Sequence, residues 1–130
     1  ALIQELHLKN EVRLVGPLTQ EEVFEELRRA KIMVLFSRLE GIPVSLMEAM
    51  ALNVPVVTTD VYGIPELVED GVNGFMVGPE DIGALADRIE KLLMDEGLRE
   101  LFSKNAHRKV STEFDLKTET DKLFRLWSVG

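Results

Sequence analysis

The 130-residue chain has no cysteine, one tryptophan, one tyrosine and two histidines. Without cysteine there is neither a disulfide framework nor a thiolate metal centre, which favours a reducing compartment. His7 and His107 stand far apart and lack the short spacing of metal ligands. Long hydrophobic runs are missing too: no stretch approaches the roughly 18 apolar residues of a membrane span, and no signal-peptide pattern is present. There is no Gly-x-Gly-x-x-Gly and no Gly-x-Ser-x-Gly elbow. Asp60 and Asp70 have no partner at a dyad spacing, and the acidic pocket of a response-regulator-like domain is absent. Positive charge is scarce: the formal net charge is −8, and residues 1–97 hold 8 Lys/Arg against 18 Asp/Glu. A nucleic-acid partner needs a basic stripe, so that class is excluded.

What remains is an ordinary globular composition, 45% hydrophobic and 29% charged, long enough for one domain with its own core. The first residue is Ala1 and Leu2–Leu8 reads as the end of a helix, so the chain is expected to be a piece of a longer protein. Val12–Val15 is short and mostly apolar and predicts a strand buried on both faces. After the Gly16-Pro17 turn, Thr19-Gln20-Glu21-Glu22 is a capping box that opens a helix with Val23, Leu27 and Ala30 on its inner face and Phe24 beside them. Ile32–Phe36 predicts a second buried strand and Val54–Thr58 a third. Between them lies a helix opened by Pro43, with Leu46, Met47, Met50 and Ala51 facing inward and Asn53 as a left-handed stop.

Pro65–Glu69 predicts a short helix, Asp70-Gly71 and Asn73-Gly74 are turn pairs, and Phe75–Val77 is a fourth strand. Ile82, Leu85, Ala86, Ile89, Leu92 and Leu93 mark a helix that Gly97 is expected to break. Leu98, Leu101, Phe102 and Val110 mark the next helix. Asp115 is expected to cap a last one, with Leu116, Leu123, Phe124 and Trp127 on one face, so that 98–130 forms a carboxyl-terminal helical part of a single domain, 1–130. Strands alternating with helices imply an α/β fold, a Rossmann-like parallel sheet flanked by helices. Ligands of such sheets bind beyond the carboxyl ends of the strands.

Residues 35–53 sit at such a place. An apolar strand ends in a polar loop holding Glu40, the loop opens a helix at Pro43, and Glu48 lies inside that helix. The first amides of a helix lack internal partners and carry the positive end of its dipole. The amides near Gly41, Ile42, Val44 and Ser45 suit a pyrophosphate, and Gly41 lets a ligand approach the backbone. Carboxylates repel phosphate but accept from hydroxyl groups. Glu48 suits the two hydroxyls of a ribose, and Glu40 those of a sugar beyond it. Spacing alone is a weak signal, because chance gives about two Glu pairs eight apart in a chain this rich in glutamate. On that ground alone both residues read as solvated.

The wider context resembles the retaining glycosyltransferases of family 4, whose GT-B fold has two Rossmann-like domains. Glu40 and Glu48 match the family's Glu-x7-Glu signature. Gly16, Ser37, Pro55-Val56-Val57, Gly63-Ile64-Pro65-Glu66 and Asp70-Gly71-Val72-Asn73-Gly74-Phe75 extend the match over nearly the whole chain, as part of the carboxyl-terminal, donor-binding domain. The resemblance implies hexose transfer from a nucleoside-diphosphate sugar with retention and without a bound metal or other cofactor. It places Glu40 at the donor sugar as the catalytic candidate, Gly41, Ile42, Pro43 and Val44 near sugar and phosphate, Glu48 at the ribose, and Gly16–Leu18 with Ser37-Arg38 near the base. Pro43 stands where many members have a second glycine and removes one phosphate donor.

By the same resemblance, two strand–helix units that supply an Arg/Lys pair for the diphosphate are missing from this chain, as is the amino-terminal domain expected to bind a glycan, lipid or small-molecule acceptor. The isolated chain is therefore expected to be inactive. Its exposed sheet edges leave self-association open. The parent is expected to work in polysaccharide biosynthesis in the cytoplasm, with the inner membrane face as a further location. The alternative is a non-catalytic module that binds a nucleotide or sugar nucleotide.

Overall fold

A computed structural model describes residues 6–7, 10–36, 44–59 and 67–113. Helix α1 spans Gln20–Arg29, strand β1 Met33–Leu35, helix α2 Val44–Ala51, strand β2 Val56–Thr59, strand β3 Phe75–Val77, helix α3 Ile82–Met94 and helix α4 Glu96–Glu113. The three strands pair in the order β1-β2-β3, all parallel. Met33 is in register with Val56 and Thr58 with Met76. The expected parallel α/β arrangement is present, because each apolar strand is joined to the next by a crossover that returns it in the same direction.

β2 is central, and all four of its residues are buried. Its alternation divides the core. Val56 joins Leu27, Leu46, Met50, Ala106 and other residues beneath α2. Val57 joins Phe75, Leu92 and Phe102 beneath α3 and α4. α4 serves both clusters, with Ala106 and Val110 in the first and Phe102 in the second. Phe102 meets Phe75 edge-on at 4.9 Å between ring centroids, a favoured aromatic geometry.

Local signals act as expected in α1 and α2. The Thr19 hydroxyl accepts from Glu22 N–H and the Glu22 carboxylate accepts from Thr19 N–H. Those bonds hold the Glu22 carboxyl below its usual range, the Thr19 backbone donor contributing most. α2 is followed by Asn53 at φ +62°, the left-handed stop.

Several expectations are corrected. Val12–Val15 is not a strand: it pairs with none of the three strands, and Leu14 is 82% exposed. An apolar run becomes a buried strand only where a sheet receives it, and no described strand stands beside it. Ile32–Phe36 contributes only Met33–Leu35, and Val34 and Phe36 are exposed. β1 is an edge, with Met33 and Leu35 packed on the α2 side. In α2 the buried residues are Leu46–Met50, whereas Ala51 is half-buried.

Ile82, Ala86 and Leu93 of α3 face solvent, and only Leu85, Ile89 and Leu92 reach the core. Leu101 of α4 is likewise exposed. The break between α3 and α4 falls at Asp95, not Gly97: Asp95 ends α3, and its carboxylate accepts from Leu98 N–H at the start of α4. Leu67–Glu69 is not helical. Asn73, inside that loop, is buried; its Oδ1 accepts from Glu69 N–H at 2.7 Å and its Nδ2 donates to Leu67 O. The expected helical end at Leu2–Leu8 and the last helix after Asp115 fall largely or wholly outside the described residues.

Candidate functional site

The carboxyl ends of β1 and β2 and the start of α2 frame the site. Of the site residues singled out from the sequence, Gly16–Leu18, Val44, Ser45 and Glu48 are described. Ser37, Arg38, Glu40, Gly41, Ile42 and Pro43 lie outside the described residues, as do Gly63–Glu66.

Glu48 is four residues on from Val44 and only 8% exposed. It is not the solvated helix residue that its spacing alone suggests. Its neighbours in α2 are Leu46, Met47, Ala49 and Met50, all buried. A carboxylate among them loses solvation, and its ionised form is disfavoured. Burial accordingly raises the Glu48 pKa, and the nearby Gln20 side chain acts against that rise.

Gln20 is the first residue of α1. Its Nε2 is buried and has no hydrogen-bond partner among the described residues. A buried donor without a well-placed acceptor costs about 1–3 kcal/mol.

Gly16 stands four residues before Gln20, exposed and at φ +66°. That conformation favours glycine and turns the chain into the Thr19 cap. The structure joins two segments far apart in sequence: Val23, Phe24 and Leu27 of α1 pack in the same core cluster as Leu46, Met47 and Met50 of α2. Gln20 was visible from sequence only as a member of the capping box. Its placement after a Gly-Pro turn, at the mouth of a helix, is the one signal that marks it.

The arrangement offers a buried carboxylate acceptor on the helix that follows β1, a group suited to hydroxyl donors. Among the described residues no group of three or more His, Asp or Glu could hold a metal ion, and no helix is long and apolar enough to cross a membrane.

Comparison with known proteins gives a consistent result. The family described as "Glycosyl transferases group 1" matches residues 1–109. The amylovoran biosynthesis glycosyltransferase AmsK of Erwinia amylovora is 41% identical over 114 residues, covering 83% of this chain and 28% of AmsK. The alpha-D-kanosaminyltransferase of Streptomyces kanamyceticus is 32% identical over 116 residues, covering 89% of this chain and 30% of that protein. The chain therefore spans about 30% of the length of these curated relatives. Among solved structures, Anabaena HepE in complex with UDP-glucose superposes with a TM-score of 0.82 at 28% identity, covering 98% of this chain and 35% of HepE.

Proposed function

Because this chain belongs to the group 1 glycosyl transferases, we propose that it forms part of the donor half-site of a retaining, family 4-like enzyme, one that transfers a hexose from a nucleoside-diphosphate sugar. The observation that carries the reading is the burial of Glu48 in the helix that follows β1. A charged residue is almost never buried without a reason in pairing or function, and an ionised carboxylate in this place is an acceptor for two ribose hydroxyls.

In this reading Glu40 faces the donor sugar and balances charge at its anomeric carbon. The amides of Gly41, Ile42 and Val44, with Pro43 fixing the helix start, line the sugar and diphosphate. The Gly16 turn and Ser37-Arg38 border the base. No metal takes part, and the diphosphate charge is met by helix-start amides and by cations outside this chain. The acceptor, a glycan or a lipid, is held by the remaining part of the enzyme, which places the whole protein in the cytoplasm or at the inner membrane face. A UDP-sugar is the first donor to test, because HepE holds UDP-glucose.

With a net charge of −8 this chain alone is poorly equipped for a pyrophosphate, and it is expected to show no transfer. Detectable transfer by the isolated chain would contradict that. Ligand-observed NMR against UDP-, GDP- and ADP-sugars tests the donor site. Binding of one nucleotide class that weakens in Glu48→Gln supports it. Binding that ignores Glu48→Gln removes Glu48 from the site.

A further inference from the structure

The chain has four asparagines, and only Asn73 is followed by glycine. An Asn-Gly pair is prone to deamidation because no side chain shields the glycine nitrogen. That nitrogen attacks the asparagine Cγ, a C–N bond closes a succinimide, and the amide nitrogen leaves as ammonia with the proton of the glycine amide. Water then opens the ring at either carbonyl and gives aspartate or isoaspartate.

The loop before β3 opposes each of these steps. Asn73 is 2% exposed. Its Oδ1 accepts from Glu69 N–H at 2.7 Å and its Nδ2 donates to Leu67 O at 3.2 Å. The attack makes the planar carboxamide tetrahedral and expels its nitrogen, so the pair of bonds does not survive it. Burial also keeps out the water that opens the ring. The backbone around Asn73 is tied as well: Gly71 N–H donates to Gly74 O, and Val72 N–H to Glu69 O. From α4, Asn105 Nδ2 donates to Val72 O at 2.8 Å.

The fold needs both members of the pair. The Asn73 bonds call for one acceptor and one donor on the same short side chain, which an amide supplies. At Gly74 a Cβ would meet Val56 Cγ2 at 2.8 Å and the Val56 carbonyl oxygen at 3.0 Å.

We propose that Asn73 is a deamidation site gated by the opening of this loop, and that its conversion is irreversible for the fold. In the folded chain only the fraction with the loop open reacts. The products do not fit the closed loop. Aspartate sets an acceptor against the Leu67 carbonyl and buries a charge. Isoaspartate lengthens the backbone by a methylene beside Gly74, where Val56 leaves no room for a Cβ.

The test incubates the chain at mildly alkaline pH, folded or unfolded in guanidinium chloride. Peptide mapping with mass spectrometry follows Asn73, with Asn10, Asn53 and Asn105 as internal references. Asn73 should deamidate at least about tenfold more slowly in the folded chain, the scale of a modest opening free energy. Asn105→Ala removes the tie to Val72 and keeps a good helix former in α4. It should raise the folded-state rate about threefold to tenfold, the range of one net hydrogen bond. Asn105→Asp, which sets an acceptor against the Val72 carbonyl, serves if the alanine variant does not fold. The deamidated chain, separated by ion exchange, should unfold at a lower guanidinium concentration than the unaltered one. Equal rates in the folded and unfolded chain overturn the proposal. So does a folded-state rate that loss of the Asn105 tie leaves unchanged, or a deamidated chain with an unchanged unfolding midpoint.

Discussion

The imidazole Nδ1 of His107 lies 3.1 Å from the carbonyl oxygen of Ala51, joining the middle of α4 to the last residue of α2. The final carbonyls of a helix have no partner within it, and this one is answered from a helix 56 residues further on. His107→Leu should therefore remove a bond and strand the acceptor, at a cost of about 1–3 kcal/mol. Urea denaturation of the variant checks the figure. An unchanged midpoint would mean that water replaces the imidazole at no cost.

Glu48 predicts a pH dependence of stability. Its folded pKa is raised by burial, against the opposing pull of Gln20. The folded state then binds the Glu48 proton more tightly than the unfolded state, so this group favours folding as pH falls from above the folded pKa toward the unfolded value near 4.5. At neutral pH the ionised carboxylate is a liability. Glu48→Gln should raise the melting temperature there, and the gain should shrink as pH falls through the folded pKa. Glu22 has the opposite sign: its contribution is present above the unfolded pKa and is lost as pH falls through its lowered folded value. Thermal melts of wild type and Glu48→Gln at a series of pH values separate the two. A gain that does not depend on pH would dissociate it from ionisation.

What could be read from the sequence was local. Thr19 with Glu22, Asn53 after α2 and the stripe of Leu85, Ile89 and Leu92 each depend on a few neighbouring residues, and each stands in the structure. What failed depended on partners. Val12–Val15 has the composition of a buried strand but no strand beside it among the described residues. Asp95 outdid Gly97 as a breaker because its side chain caps the next helix, which a residue without a side chain cannot do. The burial of Glu48 was not legible at all, since a glutamate in a helix ordinarily faces water. Only the packing of α2 in the folded chain shows otherwise.

Gly74 is required by close packing. A Cβ there would meet Val56 Cγ2 at 2.8 Å, the Val56 carbonyl oxygen at 3.0 Å and Val68 Cγ1 at 3.1 Å. One of these is backbone of the central strand, which cannot retreat without moving β2. Gly74→Ala should cost about 1–3 kcal/mol by overpacking, whereas Gly78→Ala, with its nearest neighbour at 3.7 Å, should cost less than that. Paired denaturation curves test the contrast. Equal losses would show that the loop before β3 yields freely.

Thr58 is fully buried in β2, and its Oγ1 has no hydrogen-bond partner among the described residues. A buried hydroxyl without an acceptor is a desolvation loss. Valine has nearly the same shape and belongs in a strand. Thr58→Val should leave stability unchanged or raise it by about 1 kcal/mol. A clear loss in denaturant would indicate that the hydroxyl is engaged after all.

β1 leaves one edge of the sheet unpaired among the described strands, and Val34, on that edge, is 39% exposed. Beside it runs a groove of about 520 Å³ lined by Val15, Leu18, Val23 and Met33, among others. An open parallel edge next to an apolar groove is a template for pairing with another chain, and a lysine on such an edge blocks it. The isolated chain should therefore self-associate with rising concentration. Val34→Lys should shift it toward monomer, with little change in far-ultraviolet circular dichroism because the side chain is partly in solvent. Sedimentation velocity across a concentration series reads the outcome. If the unaltered chain is monomeric at every concentration, the edge is covered in solution; if both proteins associate alike, the contact lies elsewhere.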